Sequence, residues 1–218
     1  MANPTLLLVY KDILLEVKSK SAFGSIILYL VSTVFVCFLA FDGIVTMKVW
    51  NALFWIILLF ASFNSILKSF IQESPDRSIY YYTLVSPTAY INAKLVFNTF
   101  MMLVLALIAL IVFLIFMGNV VSNLMAFIIV VGFGVVGISS VLTLMSAIAS
   151  KVRNNFTLVS ILSFPVFLPQ LLVLMRASES AINGRLFIDF YPDILISFVI
   201  SLIAMLLSNT LFPYIWQD

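Results

Sequence analysis

Apolar residues run along this chain in stretches of about twenty, broken by short polar segments. About 20 apolar residues cross the hydrocarbon core of a bilayer as a helix. The breaks therefore predict six membrane-spanning helices, at roughly 22–41, 48–67, 95–117, 124–148, 157–175 and 194–215. Two segments depart from this rhythm. The first, TLLLVYKDILLEVKSKSAF, mixes a wide apolar face with Lys11, Asp12, Glu16, Lys18 and Lys20, the pattern of a helix lying in the membrane interface with its lysines near anionic headgroups. The second, FIQESPDRSIYYYTLVSPTAYINAK at 70–94, inserts two Ser-Pro pairs and three consecutive tyrosines between the second and third spans. The expected fold is an all-α integral membrane protein: six transmembrane helices, an N-terminal interfacial helix and a short surface helix between spans 2 and 3. Residues 1–218 form one membrane domain. The charged stretch before the first span, and the lack of a small-x-small cleavage site, make that span an uncleaved anchor rather than a signal peptide.

Composition narrows the chemistry. Charged residues make up 9% of the chain against 64% hydrophobic, where globular domains run about 25% charged. A net charge of +2 with no Lys/Arg block gives nucleic acid nothing to bind. There is no histidine, and the single cysteine, Cys37, sits in an apolar run as a small hydrophobe. Internal disulfides, His or Cys metal clusters and Cys-His catalysis are excluded. No G-x-x-x-x-G-K-[ST] loop occurs, so any ATP that drives this protein is bound by a partner.

Charge also orients the chain. With the N-terminus inside, Lys11, Lys18, Lys20, Lys68, Arg77, Lys94, Lys151 and Arg153 are cytoplasmic, and Lys48, Arg176 and Arg185 lie outside. Both termini, and the 70–94 segment, then face the cytoplasm.

Local signals inside that segment are specific. Ser74 can cap free backbone N–H groups while Pro75, at the first helical position, loses nothing by lacking one. Asp76 adds negative charge at the positive end of the helix. A short helix over 75–85 follows. Ser86-Pro87 repeats the signal, ending that helix and starting another that runs through Tyr90 and Lys94 into the third span. Tyr80, Tyr81 and Tyr82 cover most of the short helix's circumference. They suit either a simple interfacial anchor or a docking knob whose polar contacts are Glu73, Asp76 and Arg77.

Elsewhere the spans carry fewer signals. Pro165 and Pro169 each remove a backbone hydrogen bond, predicting that the fifth span kinks or breaks, either as a tolerated irregularity or as a hinge beside a cavity. Asn155, Ser160, Ser163 and Gln170 are the polar groups available to the freed backbone. Gly132, Gly134, Gly137, Ser139, Ser140, Thr143, Ser146 and Ala147 make the fourth span a small-residue helix, suited to close packing against a neighbouring span or a second copy. Residues 176–193, RASESAINGRLFIDFYPD, read as the one sizeable outer loop. Its Arg176 and Arg185 are placed to pair with ligand or partner carboxylates, or with Glu179, Asp189 and Asp193 of the same loop.

Taken together, an acidic Glu73 after the second span, a short helix ending Leu84-x-Ser86-Pro87, and Lys94 heading the third span resemble the cytoplasmic coupling segment of type-2 ABC exporter permeases. Within that group the layout is similar to the CcmB family, haem exporter protein B of cytochrome c maturation. A basic turn with Lys151 and Arg153, followed by an apolar helix with two prolines four residues apart, is similar too. The match is one of layout and punctuation: family members typically carry Gly-Thr-Leu-Glu where this chain has SIYYYTL.

The resemblance implies a non-catalytic subunit in the bacterial inner membrane. Its expected partners are an ABC ATPase like CcmA, a haem-handling membrane protein like CcmC, a periplasmic haem chaperone like CcmE and a possible second permease copy. No cofactor is expected in the chain itself; ATP belongs to the ATPase and haem is handled by the complex. ATPase contacts are expected at Glu73, Ser74, Pro75, Asp76, Arg77, Tyr80, Tyr81, Tyr82, Leu84, Ser86 and Pro87, with Lys151 and Arg153 as a second contact. Two other readings stand beside this one. A type-2 permease exporting a lipid, polysaccharide or drug differs by the envelope product lost on deletion. A non-transport membrane scaffold differs by showing no dependence on ATP hydrolysis.

Overall fold

A computed structural model describes residues 4–18, 20–71, 85–149 and 155–217. Its elements are helices: α1 (Pro4–Lys18), α2 (Lys20–Ala40), α3 (Met47–Ile71), α4 (Pro87–Phe116), α5 (Leu124–Ala149), α6 (Asn155–Ile182) and α7 (Phe187–Gln217). Helices α3 to α7 are each long and apolar enough to cross a membrane, and α2 contains a shorter apolar stretch, Gly24–Ala40.

Side-chain oxygens set several helix starts. Ser86 has extended backbone geometry (φ −68°, ψ 145°) and accepts from Ala89 N with Pro87 in the first turn, as the Ser-Pro signal predicts. Asn123 caps α5 by accepting from Ala126 N at 3.1 Å. Two ends are closed by paired backbone bonds around a left-handed residue. After α2, Gly43 N donates to Phe38 O with Asp42 at φ +50°. After α6, Arg185 N donates to Ser180 O and Gly184 N to Ala181 O, with Gly184 at φ +68°.

That second closure redraws the outer loop. The expected loop at 176–193 shrinks to the few residues between Ile182 and Phe187. The reason is that α6 continues through Arg176–Ile182 while Ala177, Ser178, Ala181 and Ile182 are buried against the bundle. Contacts to α3 carry the helix beyond its apolar stretch, so the charges at its end did not terminate it.

The small-residue helix α5 is the hub, packing against α3, α4, α6 and α7. Close approach explains its composition. A β-carbon on Gly134 would collide with the Trp55 ring, and one on Gly137 with the Gln170 amide, so α3 and α6 seat directly on its backbone. At one end of the bundle, Trp50 and Phe54 stack at 5.7 Å and meet Phe113 and Phe127 edge to face. At the other end, the end carrying α1, Tyr90 stacks on Phe212 at 5.5 Å with Trp216 against both. These two aromatic clusters bring the starts of α3 and α5 beside the end of α4 at one end, and the end of α7 beside the start of α4 at the other. The ends of α3 and α7 and the start of α4 share the α1 end.

Candidate functional site

The α1 end is where the expected coupling segment leaves and re-enters the bundle. Its exit is the last turn of α3, at Ser69–Ile71, and its return is Ser86-Pro87 at the head of α4. Val85, Phe70 and Trp216 pack around Tyr90, Ile91, Ala147 and Phe212, giving both roots of the segment a firm apolar seat. Glu73, Ser74, Pro75, Asp76, Arg77, Tyr80, Tyr81, Tyr82 and Leu84 lie outside the described residues, as do Lys151 and Arg153.

Between the two roots sits Lys94, 2% exposed. Its ammonium donates to Ser69 O at 2.8 Å and pairs with Asp12 Oδ2 on α1 at 3.1 Å. It also lies 5.7 Å from the Phe70 ring centre and 5.6 Å from that of Tyr90, within cation–π range. Asp12 is itself buried and takes a second cation, Lys11, at 2.9 Å. Removing Asp12 would leave the Lys94 ammonium buried without a counter-charge, at a cost of about 3–5 kcal/mol.

This arrangement buries one acid of α1. Asp12 points into the protein while Leu6, Leu7, Tyr10, Leu14 and Leu15 are exposed. The helix thus presents its apolar side outward, where lipid solvates it, and its acid inward, where Lys94 neutralises it. The sequence reading put Lys94 at the head of the third span and Asp12 in the interfacial helix, and did not pair them. Their opposite charges were the available signal, but nothing in the spacing brings residue 12 to residue 94.

The proline-containing α6 is unbroken from Asn155 to Ile182. Pro165 and Pro169 face outward, whereas Ser163, Phe167 and Gln170 are buried on the inward side. Pro165 borders a shallow outer groove with Ile161, Phe164 and Leu168. Gln170 does not serve the freed backbone either. Its amide nitrogen donates to Ser197 Oγ on α7 at 2.8 Å, and its Oε1 and Ser163 Oγ have no hydrogen-bond partner.

A second polar knot ties α3 to α6 at the opposite end. Asn51 Nδ2 donates to Met175 O at 2.8 Å, Trp55 Nε1 donates to Ser178 Oγ at 2.9 Å, and Ser178 Oγ lies 2.7 Å from Asn51 Oδ1. Beside it, Lys48 and Glu179 form an exposed pair at 3.9 Å. Arg176 and Arg185 are exposed at that end. Among the described residues, no group of three or more His, Cys, Asp or Glu side chains is placed to hold a metal ion.

The arrangement is that of a helical membrane bundle with a clamped junction at one end, and no catalytic constellation appears among the described residues. No curated protein and no solved structure matches the chain. A protein-family comparison does: the chain belongs to the CcmB protein family, whose model matches residues 4–212.

Proposed function

We propose that this chain is the permease subunit through which a separate ABC ATPase drives rearrangement or release of the periplasmic haem chaperone during cytochrome c maturation. Membership of the CcmB family gives the coarser part of this statement directly: the chain is a haem-exporter permease component acting in cytochrome c maturation. Five long apolar helices fit a multi-pass membrane protein. The family match over residues 4–212 is the observation that carries the reading.

In this reading both termini and the α1 end face the cytoplasm of a bacterial inner membrane. The ATPase, CcmA-like, docks on the segment from Glu73 to Pro87, with the tyrosines as buried anchors and Glu73, Asp76 and Arg77 as polar contacts. The turn at 150–156, with Lys151 and Arg153, is a second contact. A CcmC-like membrane protein and a periplasmic CcmE-like chaperone complete the complex, and a second copy of this chain is a further candidate partner. ATP is bound by the ATPase. Haem is handled by the complex, since a chain without histidine has only Met, Tyr or Cys to offer its iron.

The test is affinity purification of the tagged protein in mild detergent, with mass spectrometry of what accompanies it. An ABC-type ATPase and a haem-handling membrane protein are expected with the wild type, and loss of the ATPase with the Tyr80/Tyr81/Tyr82→Ala variant. Absence of any ATPase from an otherwise intact wild-type complex would overturn the proposal in favour of a scaffold.

A further inference from the structure

The segment expected to meet the ATPase has two roots, and one side chain holds both. Lys94 belongs to the second turn of α4, the return root, and its ammonium is bonded to Ser69 O at the exit root. The same ammonium is 3.1 Å from Asp12 of α1. Further along, α1 and α4 flank a narrow gap lined by Ile13, Glu16 and Val17 on one side and Phe100, Met101 and Val104 on the other. A desolvated charge pair resists separation, because Lys94 would be left buried without its acid.

We infer that Lys94 is a positioning residue that ties α1 to both roots of the coupling segment, so that a displacement imposed there passes to α1 through the Lys94–Asp12 pair. The inference rests on the reading of the chain as an ATPase-driven permease subunit. It assigns α1 a working role: α1 moves with the start of α4 as one body, and its outward apolar face moves with it through the lipid.

A purely structural pair and a transmitting pair respond differently to one substitution. Replacing both members of a buried ion pair by apolar residues of similar size is often neutral for folding, whereas removing one is not. The Asp12→Leu/Lys94→Met double variant therefore keeps the helices packed while deleting the tie. Its accumulation, the ATPase recovered with it, the ATP hydrolysis of the purified complex, and the holo-cytochrome c formed in cells relying on it are measured together. We expect accumulation, ATPase recovery and hydrolysis to persist while holo-cytochrome c falls about tenfold, the scale of an ordinary coupling free energy between sites. Wild-type holo-cytochrome c from the double variant would overturn the inference.

A second measurement decides the matter if the double variant fails to accumulate. In a Cys37→Ser chain, Val17→Cys and Val104→Cys are bridged across the α1–α4 gap with a bismaleimide. Motion as one body predicts that bridging leaves holo-cytochrome c formation intact. Loss of maturation on bridging, with hydrolysis unchanged, would show that α1 must slide along α4 and would overturn the inference. If no ATPase accompanies the unaltered chain, the permease reading itself fails, and the tie falls with it.

Discussion

Gly137 on α5 lies so close to Gln170 on α6 that a β-carbon at position 137 would collide with the Gln170 amide nitrogen. That amide reaches past α5 to donate to Ser197 on α7, so one glutamine joins three helices at a point where only glycine leaves room. We expect Gly137→Ala to cost about 1–3 kcal/mol, the usual penalty for overpacking a closed site. Gln170→Met, which fills the same space without a buried unpaired oxygen, should change stability by less than about 1.5 kcal/mol. Thermal unfolding in detergent, followed by loss of the monodisperse species, checks both. A loss above about 1.5 kcal/mol for Gln170→Met, or no loss for Gly137→Ala, would refute this account of the crossing.

The Asn51–Trp55–Ser178 knot makes a second, independent prediction at the opposite end. Ser178→Ala removes the acceptor of the Trp55 indole N–H and the hydroxyl facing Asn51 Oδ1, leaving buried polar groups unpaired at about 1–3 kcal/mol. Trp55→Phe should leave the Ser178 hydroxyl satisfied, since Leu174 O lies 2.7 Å from it. Its cost would come from lost ring packing against Gly134. Hydrogen exchange separates the two cases: Ser178→Ala should loosen the last turns of α6, whereas Trp55→Phe should loosen the α3–α5 contact.

Most of this architecture was legible because a bilayer demands long apolar helices and because Ser-Pro is a local signal. Ser86-Pro87 opens α4 where those two residues require it. The small residues of α5 announced close packing, and that helix is the hub of the bundle. Three features were not legible, each for a non-local reason. Ser178 and Ala181 extend α6 beyond its apolar stretch only because α3 stands beside them. Pro165 and Pro169 face outward because the inward side is taken by Phe167 and Gln170. Asp12 faces inward because Lys94, more than eighty residues away, is there to receive it.

Ser86 offers a test of how firmly the return root is set. Its hydroxyl accepts from Ala89 N at 3.3 Å, and Ser86→Ala removes the cap for about 1 kcal/mol. The loss should be local, because Tyr90 and Ile91 remain buried in the aromatic seat. Exchange of the amides of Thr88 to Tyr90 should therefore speed up without a matching drop in the global melting temperature. A global drop with no local change would mean that the cap is part of the core rather than of the root.

Orientation is the last property to be tested, and the argument for it is electrostatic. With the α1 end in the cytoplasm, eight of the 11 Lys and Arg residues are on the inner side, the bias that sets topology during insertion. The turn at Arg185 and the head of α4 at Thr88 are exposed and lie at opposite ends of the bundle. In a Cys37→Ser chain, Arg185→Cys should react with a membrane-impermeant maleimide in intact spheroplasts. Thr88→Cys should react only after the membrane is opened. The reverse pattern would place the α1 end outside and remove the segment at Glu73–Pro87 from reach of any cytoplasmic ATPase, so this labelling tests the docking proposal as directly as it tests topology.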